Sequence, residues 1–213
     1  MKTKPTVAVI GAGGHGKVVV ATLQAAGYQS IVLFDDDPAK WGSRLLGCLV
    51  AGPVSEVQER KMESGILAIG SNSKRKAFAS TVRLEWLRLV HPAACAHSSV
   101  ALGVGTVVFA GAMIQPDTMV GAHAIINTGA ILDHDCRTGD FVHIAPGVTL
   151  CGGVRIGEGS LMGAGSSAVP GIRIGCWSTV GAGAAVVEDV PDRTLAVGVP
   201  VRPVLGKSEE GPR

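Results

Sequence analysis

The second half of the chain repeats its hydrophobic pattern every six residues. From Leu102 to Val186, the first position of fifteen successive hexads holds a large aliphatic residue or Met in thirteen cases, and the position four residues later is always small or β-branched. Because so short a strand cannot bury its apolar side alone, hexads of this kind stack coil upon coil as a parallel β-helix. Three hexads form one triangular coil, so the pattern predicts about five coils.

Glycine often follows the large residue of a hexad directly. We expect tight corners at these positions, with backbone angles that favour glycine. The positions are Gly103, Gly121, Gly139, Gly157, Gly163, Gly175 and Gly181.

The first part of the chain instead alternates short apolar strands with helical segments. We predict strands at 6–10, 30–34 and 66–69, and helices at 15–26, 54–62 and 73–89. Strands that alternate with helices indicate a small parallel sheet covered by helices. The sequence therefore predicts an α/β domain over 1–89, a β-helix domain over 90–191 and a C-terminal extension over 192–213.

Composition and charge narrow the class of protein. The 213 residues include 30 glycines, and 19 basic against 17 acidic side chains leave a formal net charge of +2, which gives no argument for nucleic acid or an anionic membrane. No apolar run reaches the roughly 18 residues of a membrane span, and the chain begins with a strand pattern rather than a signal peptide. We therefore expect a cytoplasmic protein.

The five scattered cysteines argue against a disulfide framework or a zinc knuckle.

A glycine-rich loop joins the first predicted strand to the first predicted helix. Gly11, Gly13 and Gly16 have the spacing of a dinucleotide fingerprint, and Asp35 lies 19 residues past Gly16, where a ribose-binding acid is expected. A nicotinamide site is one interpretation, although this domain supplies only half of a doubly wound fold. Glycines before a helix N-terminus also suit the diphosphate of another nucleotide. A tight turn without any ligand is the third interpretation.

One histidine of the six has acidic neighbours on both sides. His134 lies between Asp133 and Asp135 at an outward corner of the predicted β-helix. A carboxylate can hold one ring nitrogen protonated and direct the other toward a substrate, so His134 is our candidate general base. We interpret His91 as a cap or linker contact, and His97 and His123 as solvated residues on outward positions of the hexads.

Two other chemistries use the same residue types. His123, His134 and His143 could hold zinc, but a spacing of nine places the last two on opposite sides of an eighteen-residue coil, and we predict no metal. Cys151 could carry an acyl group, yet no neighbour in sequence would activate its thiolate. We therefore expect direct transfer between two bound substrates without an acyl-enzyme.

Several segments of the chain together resemble one family of enzymes. They are Val7–Val19, Phe34–Asp37, Ala68–Asn72, His91–Pro92, Ile126–Ala130, Asp133–Cys136, Phe141–Gly147 and Gly198–Pro203. In combination they resemble the nucleotide-sugar N-acetyltransferases of the bacillosamine and perosamine pathways, and the sialic acid O-acetyltransferases are similar. The hexads resemble those of the left-handed β-helix acyltransferases, and this resemblance implies the left-handed turn.

The resemblance also implies the substrates and the residues that hold them. It implies a nucleotide-linked amino sugar in the N-terminal domain, and acetyl-CoA in the groove between adjacent prisms of a homotrimer. The expected sugar-nucleotide residues are Gly11, Gly13, Gly14, His15, Asp35, Asp36, Gly70 and Asn72. The expected acetyl-CoA residues are Gly152, Gly163, Ala164, Gly181, Ala182 and Arg202. The catalytic residues are His134 as base, Asp135 to orient it, His143 to position the thioester carbonyl and Asn127 as a further donor.

The predicted function is acetyl-CoA-dependent N-acetylation of a nucleotide-linked amino sugar, with a UDP-4-amino-4,6-dideoxy hexose as the expected acceptor. O-acetylation of a sialic-acid-type sugar is an alternative within the enzymes. A sugar-nucleotide-binding scaffold without activity is the alternative outside them, and the acidic neighbours of His134 argue against it. Asp135 stands where several members of the family have Glu, which shortens its reach to the imidazole.

Overall fold

The computed structural model of the protein describes residues 5–204. The chain folds into two units, with the boundary after Pro92. The first unit is an α/β sheet and the second is a parallel β-helix, so the predicted fold class is confirmed. We expect the tail at 207–213 to be frayed, as terminal residues often are, and these residues lie outside the described part of the chain.

The first unit contains one mixed sheet with three α-helices. The strands of the sheet are β1 (Val7–Ile10), β2 (Ile31–Phe34), β3 (Arg44–Leu45), β4 (Cys48–Gly52), β5 (Ser64–Leu67) and β6 (Glu85–Trp86). Strand β7 (Leu89–Val90) follows in the chain and lies outside this sheet. The helices are α1 (Gly14–Ala25), α2 (Glu56–Glu59) and α3 (Asn72–Thr81), and Pro38–Lys40 form a 3-10 turn. The sheet order is β3-β4-β2-β1-β5-β6, with only the β3–β4 pair antiparallel. Every residue of β1 is fully buried at the centre of this sheet.

Three parts of this unit differ from the prediction. The helix predicted over 54–62 is limited to Glu56–Glu59. The helix predicted over 73–89 ends at Thr81, and Glu85–Trp86 pair with β5 as an edge strand. The hydroxyls of Ser80 and Thr81 donate to the carbonyls of Ala77 and Phe78, which is the competition by which such side chains weaken a helix end. The β3–β4 hairpin was not predicted, because β3 has only two residues and cannot show an alternating pattern.

The second unit is a triangular prism whose three walls are parallel sheets. Face 1 consists of β8 (Cys95–Ala96), β11 (Met113–Ile114), β14 (Ile131–Leu132), β17 (Thr149–Leu150), β20 (Ser167–Ala168) and β23 (Ala185–Val186). Face 2 consists of β9 (Ala101–Leu102), β12 (Met119–Val120), β15 (Arg137–Thr138), β18 (Arg155–Ile156) and β21 (Arg173–Ile174). Face 3 contains β10 (Val107–Val108), β13 (Ile125–Ile126), β16 (His143–Ile144), β19 (Leu161–Met162), β22 (Thr179–Val180) and β24 (Leu195–Val197), and β25 (Arg202–Pro203) pairs antiparallel with β24.

The hexad pattern accounts for the interior of the prism. Partner strands on one face are eighteen residues apart, as in the pairing of Ile114 with Leu132. The large residues of the hexads fill the interior from Val108 to Val186, and the small ones from Thr106 to Val190 are buried beside them. Stacking in this register buries an apolar side that no single strand could cover.

The corners of the prism correct our explanation of the glycines. The left-handed backbone conformation falls three residues after the large position, at every sixth residue from 105 to 183, and Asp117, His123, Asp135, Phe141 and Trp177 adopt it as well as glycine. The glycines directly after the large position lie outside this conformation. They are required by close packing, because an added Cβ at Gly103 would lie 2.4 Å from the backbone nitrogen of Ala122 in the next coil.

The corner between faces 2 and 3 also overturns the prediction for His123. This side chain is only 6% exposed rather than solvated. Its ring is stacked on that of Phe141 with the centroids 5.3 Å apart. The ring occupies the space above Gly105, where an added Cβ would lie 2.2 Å from Nδ1 of His123. His97, in contrast, is exposed as predicted.

Candidate active site

His134 lies at the corner between β14 of face 1 and β15 of face 2. Its Nδ1 is 2.8 Å from Oδ2 of Asp135, and its backbone N–H donates to Oδ1 of Asp133 at 2.8 Å. Asp135 has a left-handed φ of +60°, a conformation that aspartate tolerates better than most residues. The side chain of His134 is 61% exposed, so its second nitrogen is open to a substrate.

A glycine in the next coil makes room for this imidazole. An added Cβ at Gly152 would lie 2.6 Å from Cε1 and 2.7 Å from Nε2 of His134. Gly152 is also one of the residues predicted to bind acetyl-CoA. A larger side chain at this position would displace the ring.

The two neighbouring carboxylates change the proton affinity of His134. The hydrogen bond that His134 donates to Asp135, followed by the negative charge of Asp133, raises the pKa of His134 above its ordinary value. A higher pKa makes the neutral imidazole a stronger base. It also means that the ring becomes protonated, and unable to accept a proton, at a higher pH than a free histidine.

Asn127 and His143 form a second polar pair, on face 3. Nδ2 of Asn127 is 3.1 Å from Nε2 of His143, and Oδ1 of Asn127 accepts the backbone N–H of Thr128 at 2.8 Å. Since Oδ1 takes that backbone hydrogen, Nδ2 is the donor toward His143. Nε2 of His143 is then the acceptor, and the ring proton of the neutral form resides on Nδ1.

The four predicted catalytic residues thus form two pairs rather than one cluster. His134 and Asp135 occupy the corner between faces 1 and 2, while Asn127 ends a face 3 strand and His143 is the outward residue of β16. One chain does not place these two pairs on the same face. The spacing of nine residues between His134 and His143 had already indicated that these two side chains lie on opposite sides of an eighteen-residue coil.

The glycine-rich loop of the α/β unit has the geometry of an anion site. Gly13 is the N-cap of α1, and no side chain caps the helix there. The first backbone amides of α1 therefore present the partial positive charge of a helix N-terminus. Gly11 has a left-handed φ of +109°, and an added Cβ there would lie 2.8 Å from the carbonyl oxygen of Ala68. Gly13 and Gly14 are exposed, and an added Cβ at either would meet no atom within 4 Å.

Asp35 and Asp36 both accept hydrogen bonds from the protein itself. Oδ2 of Asp35 accepts the backbone N–H of Ala12 at 2.7 Å and the ammonium of Lys40 at 3.0 Å. Burial alone would raise the pKa of Asp35, but these hydrogen bonds together with the one from the backbone of Asp37 lower it below its ordinary value. Oδ1 of Asp36 accepts the backbone N–H of Val54 at 2.9 Å. Asp35 therefore fixes the backbone of the glycine-rich loop at Ala12, and Asp36 fixes the backbone at Val54.

The buried side chain of Arg75 supports the loop at 69–72, between β5 and α3. The sequence analysis did not identify this residue. The guanidinium is 1% exposed, and it donates to the carbonyls of Ile69 and Gly70 and, at 2.8 Å, to Oδ1 of Asn72. Burial lowers the pKa of Arg75 to about 9. Burial and the charge of Arg75 lower the pKa of His15 to about 4, so His15 is neutral at cellular pH. No signal in the sequence marks this role, because it depends on the carbonyls of the preceding loop.

The other residues predicted for acetyl-CoA lie at the C-terminal end of the prism. Ala164 and Ala182 are exposed at the corner between faces 3 and 1. An added Cβ at Gly163 would lie 2.6 Å from the backbone nitrogen of Ala182, and one at Gly181 would lie 2.8 Å from Val197. These two glycines therefore have a packing role. Arg202 is exposed, and its Nη1 donates to the carbonyl of Val201 at 2.9 Å.

The structure also bears on the competing chemistries. Within residues 5–204, no three His, Cys, Asp or Glu side chains come together as a metal site. All five cysteines are free thiols, and burial raises the pKa of Cys136 to about 11. No helix in the same range is long and apolar enough to cross a membrane.

Comparison with known proteins defines the class of this fold and site. A family model described as the PglD N-terminal domain matches residues 6–82. PerB from Caulobacter crescentus, solved in complex with CoA and GDP-perosamine, is 40% identical with a TM-score of 0.88, over 93% of this chain and 97% of that one. The acetyltransferase domain of PglB from Neisseria gonorrhoeae FA1090, solved with acetyl coenzyme A, is 38% identical with a TM-score of 0.88, over 93% and 98% of the two chains. The second unit is therefore a left-handed β-helix of the hexapeptide acyltransferase class.

The chain belongs to the family of nucleotide amino-sugar N-acetyltransferases, as the resemblance implied. A curated relative, UDP-N-acetylbacillosamine N-acetyltransferase of Bacillus subtilis (strain 168), is 41% identical over 110 residues. That match spans 49% of this chain and about half, 51%, of the relative.

Proposed function

We propose that this protein transfers the acetyl group of acetyl-CoA to the amine of a nucleotide-linked amino sugar, with His134 as general base. The observation that carries the proposal is the 2.8 Å contact between Nδ1 of His134 and Asp135 at an exposed corner. A UDP-4-amino-4,6-dideoxy hexose is the acceptor we favour, and the cytoplasm, where acetyl-CoA is available, is the compartment. The family membership of the chain supports the acetyl donor and the class of acceptor.

Asp135 and His134 would act as a unit in the transfer. Asp135 keeps the proton on Nδ1, so Nε2 presents its lone pair. As the amine nitrogen bonds to the thioester carbonyl carbon, Nε2 accepts the proton that the nitrogen loses. The C–S bond then breaks, and the proton passes from His134 to the departing thiolate, which leaves as CoA thiol. No group on the protein becomes acetylated, so both substrates must be bound together.

His143 would act on the other side of the thioester. Asn127 fixes this ring with its proton on Nδ1, so that hydrogen can be donated to the carbonyl oxygen as negative charge develops there. Because His143 and His134 occupy different faces of the prism, we propose that a neighbouring copy supplies one of the two pairs. A homotrimer with its sites between prisms is the assembly that this implies.

The α/β unit would hold the sugar nucleotide. The exposed glycines at the start of α1 allow the backbone amides to approach a diphosphate, and the helix N-terminus favours its charge. Asp36 retains Oδ2 for a hydroxyl or amide of the nucleoside, since only its Oδ1 is bonded within the described part of the chain. Arg75 would hold Gly70 and Asn72 in place at the same pocket.

A thiol-release assay tests this function and separates its alternatives. Purified protein is given acetyl-CoA with UDP-amino sugars, GDP-amino sugars or sialic acids, and CoA release is followed. We expect release with a nucleotide-linked amine and kinetics of a ternary complex. Release with sialic acid alone would indicate O-acetylation, and no release with any acceptor would indicate a scaffold. Ping-pong kinetics would contradict direct attack.

A further inference from the structure

The outward side chains of face 2 include a column of arginines that the proposed reaction does not use. Arg137, Arg155 and Arg173 are the outward residues of β15, β18 and β21, and they are directly paired across the parallel sheet. All three side chains are exposed. Neighbouring strands lie about 4.8 Å apart, so three like charges follow each other along about 10 Å of the prism.

The other two faces carry no equivalent column. In the same coils, the outward residues of face 1 are Ile131, Thr149 and Ser167, and those of face 3 are His143, Leu161 and Thr179. None of these is lysine or arginine. In these three coils, the outward arginines are therefore found on face 2 alone.

Stacked like charges oppose folding unless something neutralises them. Across residues 5–204, the guanidinium groups of Arg155 and Arg173 form no hydrogen bond or ion pair with the protein. Nη1 of Arg137 lies 3.3 Å from Sδ of Met119, a thioether that carries no charge. The column thus presents unused donors that an anionic ligand would satisfy.

The arginine column lines a cavity of about 490 Å³, which is within the range of small-molecule sites. Asp189 and Asp192 also line it, at the end near Arg173. Oδ1 of Asp189 accepts the backbone N–H of Arg173 at 2.8 Å, and Oδ1 of Asp192 accepts that of Cys176 at 2.7 Å. These carboxylates cap the last coil, while the end at Arg137 has no acidic lining residue.

We propose that face 2 binds a ligand with two or more phosphates aligned along the arginine column. Guanidinium groups pair with phosphate through two parallel hydrogen bonds, and their repeat along the prism matches a ligand whose charges are spaced in a row. Two sources have this chemistry. One is the phosphates of the coenzyme, because β15 directly follows the His134 corner, and this source depends on the proposed function. The other is a free polyphosphate or nucleotide, which does not.

Calorimetric titration with inorganic tripolyphosphate tests the site itself. We expect the wild-type protein to bind it, and the Arg155→Gln, Arg173→Gln double variant to bind at least about tenfold more weakly, the loss of about one strong ionic contact. Arg83→Gln, an exposed arginine of the α/β unit, is the matched control and keeps wild-type binding. Restoring charge with Arg155→Lys and Arg173→Lys recovers part of the affinity. No binding by the wild type, or equal binding by the double variant, overturns the proposal.

The Michaelis constants for acetyl-CoA and for acetyl-dephospho-CoA, which lacks the 3′-phosphate, identify the source. If the coenzyme is the ligand, the double variant raises the KM for acetyl-CoA at least about tenfold, with a smaller effect on the dephospho analogue. If the KM values do not change while tripolyphosphate binding is lost, the ligand is a separate polyphosphate. An inactive wild-type protein would contradict the proposed function only, because the calorimetric result does not depend on turnover.

Discussion

The His134 corner and the glycine-rich loop are built by opposite means. The corner belongs to a repeat in which every position is fixed by the coil above and below, and its chemistry arises from two exposed side chains, His134 and Asp135. The loop belongs to a non-repeating sheet, and its character arises from backbone amides held by Asp35. A repeat therefore presents side chains for reaction, while an irregular loop presents backbone for recognition. We expect changes at the corner to lower kcat and changes at the loop to raise KM.

The largest effect should follow from removing the imidazole. We predict that His134→Ala lowers kcat by about two to four orders of magnitude, the usual contribution of a general base, with little change in the KM for the sugar nucleotide. Steady-state kinetics at saturating acetyl-CoA measure both constants. His97→Ala, which removes another exposed histidine of the β-helix unit, is the control and should retain wild-type turnover.

A methyl group in the next coil should displace the same ring without removing it. Because an added Cβ at Gly152 would lie 2.7 Å from Nε2 of His134, we predict that Gly152→Ala lowers kcat by about 10–100-fold through misplacement of the base. Circular dichroism should show an intact β-helix, since Gly152 lies outside the left-handed positions. An unchanged kcat would show that Nε2 of His134 is not near the reacting amine.

Removing the carboxylate beside the ring should move the pH profile. Asp135 and Asp133 raise the pKa of His134, and the reaction needs the neutral ring, so wild-type kcat falls as pH decreases through that raised pKa. We predict that Asp135→Asn shifts this acid limb to lower pH and lowers the plateau about tenfold, because orientation is lost. A profile with the same midpoint in both proteins would be inconsistent with a contact between the two residues in the active enzyme.

A change in the loop should separate recognition from chemistry. We predict that Asp36→Ala raises the KM for the sugar nucleotide about three- to tenfold and leaves the KM for acetyl-CoA unchanged, since a single hydrogen bond is lost on one substrate. Initial rates with each substrate varied in turn give both constants. Equal increases in the two constants would contradict the placement of the nucleotide at this loop.

The smallest effect concerns the stability of the loop. Hydrogen bonds lower the pKa of Asp35 below 3.8, so its ionised form stabilises the fold above that pH, and the contribution is lost as pH falls through the lower folded pKa. The difference between the melting temperatures at pH 7 and pH 3 should therefore be smaller for Asp35→Asn than for the wild type. The same difference in both proteins would indicate that the hydrogen bonds of Asp35 do not contribute to stability.

The sequence predicts the prism far better than it predicts the α/β unit. The register of Ile114 and Leu132 repeats for fifteen hexads, so one correct alignment places every inward residue. The end of α3 depends on local hydroxyl contacts, and the β3–β4 hairpin depends on a strand of only two residues, β3. The sequence has no repeating signal for either. His123 was misplaced because burial at its corner depends on Gly105 and Phe141, one coil away on either side.

The sequence identified the candidate catalytic residues better than it predicted their positions on the prism. The acidic neighbours of His134 marked it directly, and the family resemblance supplied Asn127 and His143. The spacing of nine residues placed His134 and His143 on opposite sides of an eighteen-residue coil, but the wall or corner that carries each residue was known only once the strands were assigned. Arg75 carried no sequence signal of its role, because its burial depends on the carbonyls of a loop that lies before it in the chain.

Chemical rescue tests the role of the imidazole most directly. His134→Ala leaves space above Gly152 for a free imidazole, so turnover by this variant should rise with added imidazole, saturate, and be greater for more basic methylimidazoles in the series. His97→Ala and the wild type should show no such dependence. A His134→Ala protein that turns over at the wild-type rate, or one whose residual rate does not respond to any imidazole, would show that the proton of the amine is accepted elsewhere.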